Sequence, residues 1–185
     1  MKKYRKLHFI IEMILVAVGT YLFFSYIIIL GNVPSSSMSP TIMSGDIVVS
    51  NGLAYIKSEP KRGDIILFDR YVSNQKESIV KRVIGLPGDD VMFMKGTIYI
   101  NGQRIKEKYL SDKIYSDCAY DFFEIPEEQY FVMGDNRTNS IDSRYWLYSY
   151  VKKKDIQGKV IFVINTSDIS FCIMEKIASL QMLFR

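Results

Sequence analysis

Two periodicities divide this chain. Over residues 13–30 no charged residue occurs and apolar side chains face every direction of a helix. Those 18 residues, at about 1.5 Å of rise each, come close to the roughly 30 Å hydrocarbon thickness of a bilayer. Residues 8–11 extend the run, so the pattern predicts one membrane-spanning helix. A buried core helix is usually shorter and rarely apolar all round. A cleaved signal peptide is the closer rival, but its apolar region is usually about 7–15 residues long.

Past residue 32 the period shortens to that of strands. Runs at 46–50, 64–68, 78–84, 90–94, 129–133 and 159–164 are rich in Val, Ile, Phe and Tyr and are bounded by Gly, Asp, Asn or Pro. Thr97-Ile98-Tyr99-Ile100, Asn101-Gly102 and Gln103-Arg104-Ile105 read as a hairpin, because Asn-Gly readily takes the positive backbone angles of a tight turn. The predicted fold is mainly β: an N-terminal transmembrane helix, then an antiparallel β-barrel or sandwich-like domain. The expected division is 1–31 for basic flank and anchor and 32–185 for the β domain, with the more polar stretch 106–124 as an extended excursion. Near the end, Ile169, Ile173, Ile177, Leu180 and Phe184 recur at near-helical spacing and predict a short amphipathic helix that lies on the membrane or closes the core, the second being preferred.

Composition narrows the function classes. A chain of 185 residues, 48% hydrophobic and 24% charged, suffices for one anchor and one domain with a core. Lys2, Lys3, Arg5 and Lys6 against Glu12 account for three of the four net positive charges, so the body is nearly neutral. That balance offers no basic face for nucleic acid and places the charge at a membrane boundary. By the positive-inside rule the N-terminus is cytoplasmic and residues from 32 onward are outside, which predicts a single-pass plasma-membrane protein in contact with lipid. Cys118 and Cys172 then lie outside the cytoplasm, with no essential role expected of either. No metal-ligand cluster or phosphate-binding glycine loop stands out, so no metal or cofactor is expected.

Candidate chemistry lies in three segments: Val33-Pro34-Ser35-Ser36-Ser37-Met38-Ser39-Pro40-Thr41, Lys81-Arg82-Val83-Ile84-Gly85-Leu86-Pro87-Gly88-Asp89, and Gly134-Asp135-Asn136-Arg137-Thr138-Asn139-Ser140-Ile141-Asp142-Ser143-Arg144. An unassisted serine hydroxyl is a poor nucleophile and needs a base. The only histidine, His8, sits on the cytoplasmic flank of the anchor, which excludes a histidine triad. A lysine serves as base only when neutral, so burial must lower a pKa of about 10.4 by several units. Lys81 is placed for that between Ile79-Val80 and Val83-Ile84, and strand alternation turns Arg82 the other way. Asp142 and Arg144, two apart, share a face near Ser140 and are assigned a supporting ion pair. Gly134-Asp135-Asn136-Arg137 also reads as a plain tight turn.

These segments, with Gly45-Asp46-Ile47-Val48-Val49 and Gly63-Asp64-Ile65-Ile66, resemble those of bacterial type I signal peptidases, over roughly residues 33–164. The resemblance implies a membrane-bound Ser/Lys endopeptidase that removes signal peptides from exported precursor proteins. By it, Ser37 is the nucleophile, Lys81 the general base, Ser140 the hydroxyl orienting the lysine, and Ser35 a donor to the oxyanion with the Ser37 N–H. It implies small residues at the first and third precursor positions before the cut, with shallow pockets expected from Val33, Pro34, Met38, Ile42, Ile79 and Val80. Ser36 stands where glycine is frequent in the family. Two other readings stay open on sequence: a non-catalytic single-span protein with a β interaction domain, and a self-cleaving Ser/Lys domain.

Overall fold

A computed structural model describes residues 2–72, 75–94, 96–110 and 120–167. The chain starts with helix α1, Lys2–Ile27, whose apolar side chains are exposed on all sides. Residues Tyr4–Ile27 are long and apolar enough to cross a membrane, with a mean hydropathy of 2.0. The expected helix continues to Leu30, but the structure ends it at Ile27. Strand β1, Ile28–Asn32, pairs antiparallel with β2, Ile47–Asn51, in a register running from Ile28 opposite Asn51 to Asn32 opposite Ile47. The first sheet strand therefore begins inside the stretch expected to belong to the anchor. A consecutive Ile-Ile-Leu satisfies lipid and a sheet equally, and β-branched side chains fit a strand better than a helix.

The other strands are β3, Ile65–Val72; β4, Gln75–Gly85; β5, Asp90–Met94; β6, Thr97–Ile100; β7, Gln103–Arg104; β8, Tyr120–Glu124; β9, Gln129–Met133; β10, Val151–Lys152; and β11, Ile156–Ile164. They form two antiparallel sheets, one ordered β1-β2-β11-β3-β4-β9-β10 and one ordered β7-β6-β5-β8. The larger sheet keeps open ends at β1 and β10, so the arrangement is sandwich-like and not a closed barrel. The expected hairpin is present, with Asn101 at φ 51° and Gly102 at φ 76°. The excursion is larger than the 106–124 expected. It starts at Asp90, and β8 returns beside β5 with Asp90 opposite Glu124. The predicted helix over 169–185, and both cysteines, lie outside the described residues.

Strand alternation sorts the core into three packed groups. Ile84, Phe93, Ile98, Phe131 and Met133 join the small sheet to the large one. Leu67 and Val80 meet Val33, Met38, Ile42 and Val48 on one face of the large sheet, while Ile66, Phe68, Val83 and Val132 pack on the other. Strand β4 is the axis of this arrangement. On one edge β3 pairs it from Gln75 to Arg82, but on the other β9 covers only Arg82, Val83 and Gly85. Its other edge, over residues 75–81, is left without a neighbouring strand among the described residues.

Where β4, β5 and β9 converge, Gly85 leaves no space for a side chain: an added methyl group would meet Ile125 Cδ1 and stand 2.8 Å from Val91 Cγ2. Overpacking of this kind typically costs about 1–3 kcal/mol. Gly85→Ala is expected to lower the urea midpoint of the detergent-solubilised protein accordingly, and an unchanged midpoint would contradict this packing.

Candidate active site

The segment after β1 is tied at both ends before it reaches its serines. Val33 N–H donates to the Asp46 carbonyl at 3.0 Å, and Gly45 N–H donates to the Val33 carbonyl at 2.7 Å. Met38 and Ile42 are fully buried beneath it, so burial of two large side chains holds Ser37 against the sheet. From β4, Lys81 places Nζ 2.5 Å from Ser37 Oγ. Both residues are nearly dry, at 3% exposure for Lys81 and 8% for Ser37. Burial pushes the Lys81 amine down to about 8 from an ordinary 10.5. The Asp142 carboxylate opposes that, the Arg144 guanidinium reinforces it, and Asp135 opposes it more weakly.

Each of those two carboxylates has an arginine of its own. Asp142 receives Arg144 Nε at 2.8 Å and Nη2 at 2.9 Å, with both side chains inaccessible to solvent. Asp135 receives Arg82 Nε at 2.8 Å, Arg82 Nη2 at 2.6 Å and the Thr41 hydroxyl at 2.5 Å. Arg82 also donates to the Gly63 carbonyl and lies 3.9 Å from the centre of the Tyr109 ring. The supporting pair expected from the sequence is therefore present. A second one, Arg82 with Asp135, was hidden in what reads as a turn. A third, Arg137 with Glu107, gave no sequence signal: Arg137 Nη1 meets Glu107 Oε2 at 2.7 Å, and its Nε donates to the Gly134 carbonyl at 3.1 Å.

Loop 134–144 folds over Ser37 through several contacts. Asn136 N–H donates to the Ser37 carbonyl at 3.0 Å, Asn139 Nδ2 to the Ser36 hydroxyl at 3.0 Å, and Gly134 N–H to Asp142 Oδ2 at 2.9 Å. A Cβ at Gly134 would collide with both the Ser37 carbonyl and the Ser140 hydroxyl, so only glycine fits. Ser140 differs from expectation: its hydroxyl donates to Asp142 Oδ2 at 2.7 Å and makes no hydrogen bond to the Lys81 amine. A buried carboxylate is a far better acceptor for that proton than an amine already facing Ser37. Ser35 Oγ lies 3.2 Å from Ser37 Oγ, on the same side, whereas Ser36 is turned to Asn139. No acceptor takes the Ser37 N–H among the described residues.

Beside the pair runs an open groove of about 380 Å³, walled by residues 32–37 and 77–81 with Asn139 and Ile141 at its mouth. Four of the six expected pocket residues line it: Val33, Pro34, Ile79 and Val80. Met38 and Ile42 do not line it; they lie behind Val33 and Val80 in the core. The groove follows the edge of β4 that no strand covers.

Comparison with known proteins adds four findings. A family model described as signal peptidase, peptidase S26, matches residues 4–165. Signal peptidase I P of Bacillus subtilis subsp. natto is 39% identical over 158 residues, which cover 80% of this chain and 81% of that protein. A probable signal peptidase I-2 of Synechocystis is 36% identical over 133 residues, covering 69% of this chain; the chain spans only 58% of that relative's length. A crystal structure of a signal peptidase I from Enterococcus faecalis aligns with a TM-score of 0.47 and 32% identity, over 56% of this chain and 98% of that one.

Two stability measurements follow from this geometry. Removing one partner of a buried ion pair typically costs about 3–5 kcal/mol, because the other charge is stranded. Asp142→Ala is expected to destabilise by that order in urea unfolding, and more than the joint change Asp142→Leu with Arg144→Met. Lys81 binds its proton more weakly in the folded protein than in the unfolded chain. Between about pH 8 and 10.5 the unfolded state therefore carries the extra proton, and stability rises with pH. Lys81→Met should flatten that rise; a slope equal to that of the wild type would show that the amine is not desolvated.

Proposed function

The chain belongs to the signal peptidase family, peptidase S26, and from that premise we propose that it is a membrane-anchored serine endopeptidase that removes signal peptides from exported precursor proteins. The observation that carries this reading is the buried Lys81 amine at 2.5 Å from the Ser37 hydroxyl. With the amine neutral, the hydroxyl donates to it, and Ser37 Oγ attacks the scissile carbonyl as its proton passes to Lys81. The tetrahedral oxyanion is met by the Ser37 N–H and the Ser35 hydroxyl. Collapse breaks the C–N bond, Lys81 returns the proton to the leaving amine, and Ser37 is left acylated. Lys81 then takes a proton from water, whose oxygen attacks the ester, and returns that proton to Ser37 Oγ as the acyl C–O bond breaks, which restores the hydroxyl and the neutral amine.

Ser140 acts on the lysine at one remove. Its proton is committed to Asp142, and it holds in place the carboxylate whose charge acts on the Lys81 amine. Asp142 and Arg144 act behind it. The precursor docks as an added strand on the uncovered edge of β4, opposite residues 33–37. Small precursor residues at the first and third positions meet Val33, Pro34, Ile79 and Val80, with Met38 and Ile42 only backing them. In this reading α1 lies in the plasma membrane with its basic end cytoplasmic, and the extracytoplasmic β domain begins at Ile28.

Cleavage of a model precursor by the purified chain tests this directly. Ser37→Ala and Lys81→Met are each expected to lower kcat by about 10³–10⁶. For the wild type, kcat/KM should rise with pH and level off above a midpoint of about 8, where Lys81 becomes neutral. Cleavage that survives in both variants would remove Ser37 and Lys81 from the chemistry.

A further inference from the structure

Among the described residues lining the groove, two can ionise, Lys81 and Glu77. When Lys81 is neutral, the groove holds one negative charge. The Glu77 side chain is exposed and has no hydrogen bond or ion pair among the described residues. Cations near it are engaged elsewhere. Lys76 Nζ is on Asp69 Oδ2 at 2.7 Å. Arg70, opposite Glu77 in the register of β3 and β4, has its guanidinium 3.8 Å from the centre of the Trp146 ring and donates to the Tyr148 carbonyl. The carboxylate is thus left unneutralised on the open edge of β4.

Alternation puts Glu77 on the same face of β4 as Ile79 and Lys81, four residues before the lysine. At about 3.3 Å per residue the separation along the strand is about 13 Å. A precursor extended along that edge covers the distance with about four residues of its own. We propose that Glu77 is a specificity-determining residue that favours Lys or Arg, and disfavours Asp or Glu, about four or five residues before the scissile bond. This rests on the reading of the groove as the precursor site. An exposed charge pair of this kind changes binding by a factor of about 1.5–5, and salt weakens it.

The experiment uses the full chain in detergent micelles and a model precursor in which Lys, Gln or Glu is placed singly at positions three to six before the cut. At low salt the wild type is expected to cleave the Lys form several times faster than the Glu form, in kcat/KM, at one of these positions. High salt should shrink the ratio, Glu77→Gln should bring it near one, and Glu77→Lys should invert it. Equal cleavage of the Gln form by all three proteins shows that the dyad is intact. A charge preference that is absent in the wild type, or unchanged in Glu77→Gln, overturns the proposal. If the wild type cleaves none of the precursors, the peptidase reading falls, and this one with it.

Discussion

The site depends on burial making the charged form of a lysine amine costlier than it is in water, which brings its pKa down to about 8. Burial alone pushes in that direction, but two carboxylates stand near enough to restore the charge. Each is already satisfied by a two-pronged guanidinium, Asp142 by Arg144 and Asp135 by Arg82. The arrangement matters because an unpaired buried acid would pull the proton back onto Lys81 by an interaction that low dielectric makes strong. The acid side chains thus organise the backbone while burial remains the larger influence on the protonation of their neighbour. Gly134 N–H, the Ser140 hydroxyl and the Thr41 hydroxyl all hang from these two carboxylates.

Strand β4 sets this chemistry in place through its two unequal edges. Full pairing with β3 fixes the height of Lys81 and Arg82, and alternation sends them to opposite sides. On the other edge β9 ends at Met133, and the chain turns away at Gly134 where no side chain fits. The turn does two things at once. It brings loop 134–144 over Ser37 and leaves residues 75–81 without a neighbouring strand among the described residues, so the candidate site lies where the sheet is incomplete.

Sequence carried much of this because strand alternation and Asn-Gly turn chemistry are local signals. The positions of β2, β5 and β9 and the hairpin at Asn101-Gly102 were readable within a residue or so, whereas β3 runs four residues past its expected end. The pairing of Ser37 with Lys81 was legible through the resemblance of their segments to a known family, and the structure brings the two side chains into contact. What stayed hidden depends on distance or on which side of an apolar residue is wet. Ile28, Ile29 and Leu30 look the same to lipid and to a sheet. Met38 and Ile42 are as apolar as Val33 and Val80, yet only the latter pair face the groove. Glu107 reaches Arg137 from thirty residues away, and nothing near either residue announces the pair.

The junction between helix and sheet is direct. Helix α1 ends at Ile27, β1 starts at Ile28, and the Ile27 carbonyl is held by Gly52 N–H at 2.9 Å. A methyl group on Gly52 would crowd the Tyr26 carbonyl, so that seam is tight. With α1 seated in a bilayer, such a seam denies the catalytic domain the swivel that a loose tether would allow. On the proposed reading, the scissile point would then stand at a set height over the lipid surface, and the molecule would work as a gauge of how far a passenger chain has emerged before it is cut.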